Sequence, residues 1–264
     1  MKNINNTVLK VKNLNIKSGN KIELVNNINF ELKHGKTLGI VGESGSGKTL
    51  ICKAILNLLS FNNLIATGCI NYNNQNILQL NEKQMQNIRG SKIALIMQNP
   101  HTAFDPAYRI KNQITETLCQ HKQLSKAEII VQFSEELKQL NLADTERILN
   151  SYPHMLSGGM LQRIMIVLTF MLNPQIIIAD EATTALDTEN QFIIIEELKK
   201  RKASNNSLII ISHDIGVITQ LADEILVMYK GQIVEQGSLE HIILSPKNPY
   251  TKKLLNAKLL HSEE

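Results

Sequence analysis

Gly42-Glu43-Ser44-Gly45-Ser46-Gly47-Lys48-Thr49 stands between an apolar run, Leu38-Gly39-Ile40-Val41, and a helix-periodic stretch, Leu50-Ile51-Cys52-Lys53-Ala54-Ile55-Leu56. The octet fits G-x-x-x-x-G-K-[ST] in the setting that pattern requires, a strand before it and a helix after it. A simple Gly/Ser-rich turn has no need of that setting. Glycines let the backbone close around phosphates, successive N–H groups form an anion nest, and the helix turns its positive end toward the site. Lys48 is placed to reach the β- and γ-phosphates, and the Thr49 hydroxyl to reach Mg²⁺. Gly42, Glu43, Ser44, Gly45, Ser46, Gly47, Lys48 and Thr49 are therefore the candidate ATP contacts.

Three further runs are apolar throughout: Ile93-Ala94-Leu95-Ile96-Met97, Ile176-Ile177-Ile178-Ala179 and Leu208-Ile209-Ile210-Ile211. Strands apolar on both faces predict a parallel sheet covered by helices. The four runs end at Gly42, Gln98, Asp180 and Ser212-His213. Ligands of open α/β sheets bind at the carboxyl ends of strands, so four strand ends nominate one site. Asp180 suits a magnesium-shell acid, and Glu181 a base that polarises water. A pair of acids capping a helix from Ala182 onward is the alternative, and the position after a fully apolar strand speaks against it. Ser157-Gly158-Gly159 precedes a helical run from Met160 to Leu172. Ser is a good N-cap, and a helix start offers N–H groups to an anion.

Elsewhere, Val8-Leu9-Lys10-Val11-Lys12 and Ile28-Asn29-Phe30-Glu31-Leu32 alternate with period two, which predicts half-exposed antiparallel strands. Residues 107–170 read mostly as helix, Val227 to Gly237 as short strands, and Pro249 to Leu260 as a last helix.

Of 264 residues, 43% are hydrophobic and 20% charged, a globular balance. The net charge of +4 is too small to imply nucleic acid, and suits an anionic membrane surface or a triphosphate. Aromatics at 4%, with no Trp, argue against base-stacking platforms. Cys52, Cys69 and Cys119 show neither a disulfide framework nor zinc spacing. A reduced, cytoplasmic setting is expected. Met1 to Asn6 lacks the apolar stretch of a signal peptide. The longest apolar run, Ile164 to Leu172, is about half a membrane span, so the chain is expected not to cross a membrane.

With these motifs in this order, the chain resembles the nucleotide-binding subunit of an ATP-binding-cassette (ABC) transporter along nearly its whole length. Leu156-Ser157-Gly158-Gly159-Met160-Leu161-Gln162-Arg163 resembles the family signature. The resemblance implies that Ser157, Gly158, Gly159 and Gln162 face the ATP held by a partner cassette. Gln98 is similar to the Q-loop glutamine, which contacts Mg²⁺ and senses the membrane subunit. Ala185-Leu186-Asp187 is similar to the D-loop, which crosses the dimer interface. His213 is similar to the H-loop histidine at the γ-phosphate. The implied catalytic set is Glu181, His213 and Gln98. The implied magnesium set is Thr49, Gln98 and Asp180, with ATP and Mg²⁺ as cofactors. The implied fold is an α/β ABC ATPase cassette: a RecA-like P-loop core with a mostly parallel sheet, an N-terminal antiparallel β subdomain and a helical insert. Residues 1–264 are expected to form one cassette, with a helical subdomain at about 99–170 and an importer-type tail at about 238–264.

Met97-Gln98-Asn99-Pro100 with Ala103-Phe104-Asp105-Pro106, Tyr152-Pro153, and Pro246-Lys247-Asn248-Pro249-Tyr250-Thr251 resemble importers of oligopeptides, dipeptides and nickel. Met-Gln-Asn-Pro combined with this signature is most similar to the first ATPase of nickel or nickel–metallophore importers. The cysteine cluster frequent near the C-terminus of peptide-importer ATPases is absent, since no Cys follows Cys119. The implied partners are two membrane permease subunits, a second, different ABC ATPase and an extracellular or periplasmic solute-binding protein, with no nucleic acid. The implied place is the cytoplasmic face of the cell membrane, as a peripheral subunit. The seven histidines, His34, His101, His121, His154, His213, His241 and His261, show no paired metal-ligand spacing, so any nickel cargo is left to other subunits.

Two departures from the family stand out. Ala182 replaces the Pro usual after the catalytic glutamate, where Pro would pre-set a helix start. The aromatic that stacks on adenine would fall near Ser18, yet none occurs before Phe30; weak base discrimination is expected, with Ile16 or a neighbour covering the ring. A non-transport cassette of DNA maintenance would carry long coiled coils between the glycine motifs, and one of translation would carry two cassettes. A non-ABC P-loop kinase or GTPase would lack the signature.

Overall fold

The computed structural model describes residues 6–60, 63–183 and 186–259. Met1 to Asn5, Ala185 of the expected D-loop, and residues 260–264 with His261 lie outside the described residues. In chain order the elements are β1 (Thr7–Ser18), β2 (Glu23–Lys33), β3 (Thr37–Gly42), α1 (Lys48–Ile55), β4 (Leu64–Tyr72), β5 (Gln75–Asn76), α2 (Glu82–Gln86), β6 (Ile93–Ile96), α3 (Ile110–His121), α4 (Lys126–Gln139) and α5 (Thr145–Asn150). They continue as α6 (Gly158–Leu172), β7 (Ile176–Asp180), α7 (Thr188–Ala203), β8 (Ser207–Ile211), α8 (Ile215–Leu221), β9 (Glu224–Tyr229), β10 (Gln232–Ser238), α9 (Leu239–Leu244) and α10 (Pro249–Leu259). The chain divides into two compact units, residues 1–87 with 199–264, and residues 88–198. Among the described residues no helix is long and apolar enough to cross a membrane.

The first unit holds the antiparallel sheet β2-β1-β4-β5. Alternation buries Leu9, Val11, Leu14 and Ile16 of β1 with Val25, Ile28, Phe30 and Leu32 of β2. The alternation slips at Asn13, whose φ of 48° goes with register shifts against both neighbours. Asparagine side chains stabilise the slip: Asn29 accepts from the Asn13 N–H and Asn15 from the Asn27 N–H, each at 2.9 Å. β4 buries only Ile70 and Tyr72 on its inner end, which leaves little period-two signal in its sequence.

The same unit holds β3, flanked by β8 and β9 in parallel, with β10 antiparallel on β9. All residues of β3 and β8 are buried, as their apolar runs predict. β9 starts earlier than the expected Val227, and Ile225 to Met228 lie in the core beside β3. Asp223, just before β9, ties three segments together. Its carboxylate accepts from the Thr37 N–H at 2.8 Å and pairs with Lys36 at 3.2 Å and Lys202 at 2.7 Å.

The second unit holds β6 and β7, parallel from Ile93 beside Ile176 to Ile96 beside Ala179, and the expected helices. Ser125 and Glu128 form a capping box on α4. α6 begins at its N-cap Ser157, buries Leu161, Ile164, Ile166, Val167 and Phe170, and ends on Asn173 in the left-handed region. The helix after the acidic pair starts at Thr188, not at Ala182. Glu181 has φ 49°, which turns the chain out of any helical line there. Ala182 therefore stands in a turn, where the helix-starting benefit of Pro does not arise.

Burial alone would raise the Asp223 carboxyl, but Lys202, the Thr37 N–H and Lys36 hold it below the ordinary carboxylate value. A depressed folded pKa gives stability that is present above the unfolded value, about 3.9, and is lost as pH falls through the folded one. Asp223→Asn should cost ~1–3 kcal/mol at neutral pH. The gap to wild type should close below about pH 4. Urea melts at both pH values check this, and equal midpoints at neutral pH would refute it.

Candidate nucleotide site

The first unit carries the glycine-rich loop. Gly42 ends β3 so close to β9 that a Cβ would lie 2.3 Å from the Met228 carbonyl oxygen. No side chain fits, which is a packing demand. Gly45 is different: its φ is +78° with open space around it, so backbone conformation alone calls for glycine. Glu43, Ser44, Gly45 and Thr49 are exposed, and Ser46 is buried. The Gly231 N–H donates to the Ser46 carbonyl at 3.1 Å. Lys48 is only 6% exposed, and its ammonium donates to the carbonyls of Gly42 at 2.9 Å and Glu43 at 2.8 Å. α1 follows Gly47, and no side-chain hydrogen bond caps its N-terminus. An uncapped helix start next to a curled backbone is an anion site by construction.

His213 belongs to the same unit. It follows β8 and is exposed, next to buried Ser212. The Ser212 hydroxyl accepts from the Asp214 N–H at 3.0 Å, and Asp214 caps α8. Ser18, at the end of β1, is half-buried and bonded twice to Ile22. Ile16 is fully buried, so it does not cover a base; Ile22, 60% exposed, is the aliphatic available beside Ser18.

The second unit brings Gln98, Asp180 and Glu181 to the ends of β6 and β7. The Gln98 amide donates to the Glu181 carboxylate at 2.6 Å. Asp180 is 5% exposed, while Glu181 is half-buried. A glutamate in left-handed backbone is uncommon, and such outliers gather at functional sites. Ser157 is exposed, and its hydroxyl accepts from the Met160 N–H at 3.2 Å. A hydroxyl in that role keeps its own proton to donate. Gly158 and Gly159 form the first residues of α6.

Gln162 has a different setting from the other signature residues. It is fully buried, and its amide donates to the Met97 carbonyl at 3.3 Å. In this structure it presents no surface to a partner's ATP and instead ties the signature helix to the residue before Gln98. Sequence reasoning missed a second tie. Arg163 donates to the Asn190 side chain at 2.9 Å, and the Asn190 N–H and amide donate to Asp187 at 2.9 Å. Burial pushes the Arg163 guanidinium down, and Asp187 pulls it back up. The Asn190 N–H first, then its side chain, hold the Asp187 carboxyl below the usual range. Arg163 and Asp187 are thus joined through one asparagine.

The residues fit triphosphate chemistry: a backbone anion nest with its lysine, a carboxylate held by an amide at a strand end, and a glycine-led helix start. The ABC transporter family model matches residues 25–184. The metal-staphylopine import system ATP-binding protein of Staphylococcus aureus is 44% identical over 254 residues, 96% of this chain and 93% of that one. The dipeptide transport ATP-binding protein of Lactococcus lactis subsp. cremoris is 42% identical, over 95% of this chain and 73% of that one. A solved ATP-binding cassette dimer, in a post-hydrolysis state with ADP and Pi, superposes with TM-score 0.76 at 27% identity, over 88% of this chain and 98% of that one. The chain belongs to the ABC transporter family and is an ATP-hydrolysing subunit within it.

Proposed function

We propose that this ATPase energises import of nickel or a metal chelate. The observation that carries the reading is the similarity to the metal-staphylopine import ATPase, which runs over nearly the full length of both chains. Import of di- or oligopeptides is the second reading, favoured by the similarity to the dipeptide transport protein. As a subunit of an import system the chain works with membrane permeases. Two such permeases, a second and different ABC ATPase, and an extracellular or periplasmic solute-binding protein complete the proposed assembly. The chain would sit peripherally on the cytoplasmic face of the membrane. Residues 1–264 act in this proposal as one cassette, with its helical part at about 99–170 and an importer tail at about 238–264.

The proposed roles follow the chemistry of each group. Backbone N–H groups of the loop Gly42 to Thr49, other than those of Glu43 and Ser46 that are bonded within the protein, and the Lys48 ammonium hold the phosphates. The Thr49 hydroxyl, Gln98 carbonyl and Asp180 carboxylate are oxygen donors, the hard set that Mg²⁺ prefers. Held by these oxygens, Mg²⁺ would supply positive charge that offsets the charge of the phosphates. The Gln98 nitrogen already donates to Glu181, so its oxygen is the end left for the cation. Glu181 orients and deprotonates the attacking water, and His213 donates to the γ-phosphate. Ser157, Gly158, Gly159 and Asp187 act across to a second cassette. Gln162 supports them from within.

Glu181→Gln should keep ATP binding and lose roughly 10²–10⁴ in turnover. The amide still accepts from Gln98 but takes no proton. Near-normal phosphate release by the assembled variant would refute the role of Glu181.

Lys48→Ala should weaken ATP binding itself, because charge-assisted contacts to phosphate are strong. Calorimetry with Mg-ATP measures this, and unchanged affinity would remove the loop assignment.

Cells whose only copy is Glu181→Gln should lose uptake of radiolabelled nickel chelate and keep dipeptide uptake. The opposite pattern would establish the peptide reading in its place.

A further inference from the structure

The segment Pro246 to Thr251 reaches the glycine-rich loop. Its attachment starts on β10. The Glu235 carboxylate accepts from the N–H groups of Lys247 at 2.7 Å and Asn248 at 3.1 Å. The Asn248 amide donates to the Val234 carbonyl at 3.2 Å and, through its oxygen, accepts from the Tyr250 N–H at 2.8 Å. Thr251 is fully buried behind it. These bonds fix the start of α10 and aim one side chain outward from it, Tyr250. The Tyr250 ring packs on Tyr229 with centroids 4.3 Å apart. Its hydroxyl oxygen accepts from the Glu43 N–H at 3.0 Å.

That N–H belongs to the peptide between Gly42 and Glu43. The carbonyl of the same peptide, Gly42 O, accepts from Lys48 at 2.9 Å. One peptide plane is therefore gripped on both edges, by Lys48 on one and Tyr250 on the other. Glu43 is exposed, and Gly42 has the freedom of a residue without Cβ. Without a partner on the N–H side, rotation of this plane would be opposed by the lysine alone, the group whose task lies with the phosphates. Burial pushes the Tyr250 hydroxyl above its ordinary value, so it stays neutral and in place through the physiological range.

We infer that Tyr250 is a positioning residue for the phosphate loop, and that the segment Pro246 to Thr251 is the strut that holds it there. The tail thereby sets nucleotide affinity from a point 207 residues along the chain. This rests on Gly42 to Thr49 being the phosphate loop.

Tyr250→Phe tests it in the full chain, since the ring and its contact with Tyr229 are kept and only the hydroxyl goes. Mg-ATP affinity by calorimetry should fall about 3- to 10-fold, the size of one lost neutral hydrogen bond. Amide exchange at Glu43 should quicken, and the melting temperature should fall by no more than the roughly 2–4 °C that one hydrogen bond is worth. Wild-type affinity together with wild-type exchange at Glu43 would overturn the inference. So would an affinity loss accompanied by a much larger fall in melting temperature, which would mark Tyr250 as a packing residue. Lys48→Ala separates the two levels. If it abolishes binding while Tyr250→Phe binds normally, only the strut fails; if it binds normally, the loop assignment fails as well.

Discussion

Gly42 meets the Met228 carbonyl with no room for a side chain, and much of the first unit is arranged around that approach. β3 must be buried on both faces to run this close to β9, and its six residues are. The β9–β10 turn then lies against the loop, where the Gly231 N–H holds Ser46. The antiparallel sheet has a part here too. A Cβ on Gly47 would lie 2.9 Å from the Val25 side chain, and the Asn26 N–H donates to the Gly231 carbonyl. A loop that binds phosphate through its own N–H groups has few side chains with which to stabilise itself. Its shape has to come from neighbouring backbone, and here β2, β9 and the β9–β10 turn supply it.

This explains what could be read from the sequence and what could not. The four apolar runs were legible because burial on both faces confines polar residues to the ends of these strands, as with Thr37, Asp180 and Ser207. The paired β1 and β2 were legible because one-sided burial alternates with period two. The glycine octet was legible because Gly42, Gly47, Lys48 and Thr49 stand at the fixed spacing of a known pattern, between a strand and a helix. β4 was missed, since only its inner end is buried. Turns and strand irregularities were missed in part because this chain places asparagine where glycine would announce them: Asn13 and Asn27 within strands, and Asn57, Asn63, Asn73, Asn74, Asn141, Asn173 and Asn205 outside them, all have positive φ. The left-handed turn at Glu181 was not legible, because nothing in Asp-Glu-Ala marks it. The bond from Tyr250 to Glu43 joins residues far apart in sequence through a hydroxyl and an N–H, which leaves no periodicity at all.

In the second unit the same logic applies to coupling. Glu181 is held in an unfavourable backbone region by structure on either side of it: a buried strand before it and a bond from Gln98 at its carboxylate. Such strain is of order 1–3 kcal/mol, so the glutamate keeps this pose only while its neighbours hold. Gln98 follows Met97, whose carbonyl accepts from Gln162 inside the signature helix. The first turns of that helix also carry Arg163, which reaches Asp187 through Asn190. A displacement of α6 therefore acts on two places at once. It pulls on the backbone leading to the amide that holds the Glu181 carboxylate, and on Asp187. The first tie runs through the buried Gln162, where a lost hydrogen bond is not replaced cheaply by water, while the second ends at the exposed Asp187. The pose of Glu181 and the placement of the start of α6 are consequently not independent in this unit, since motion of one must break or carry the bonds of the other.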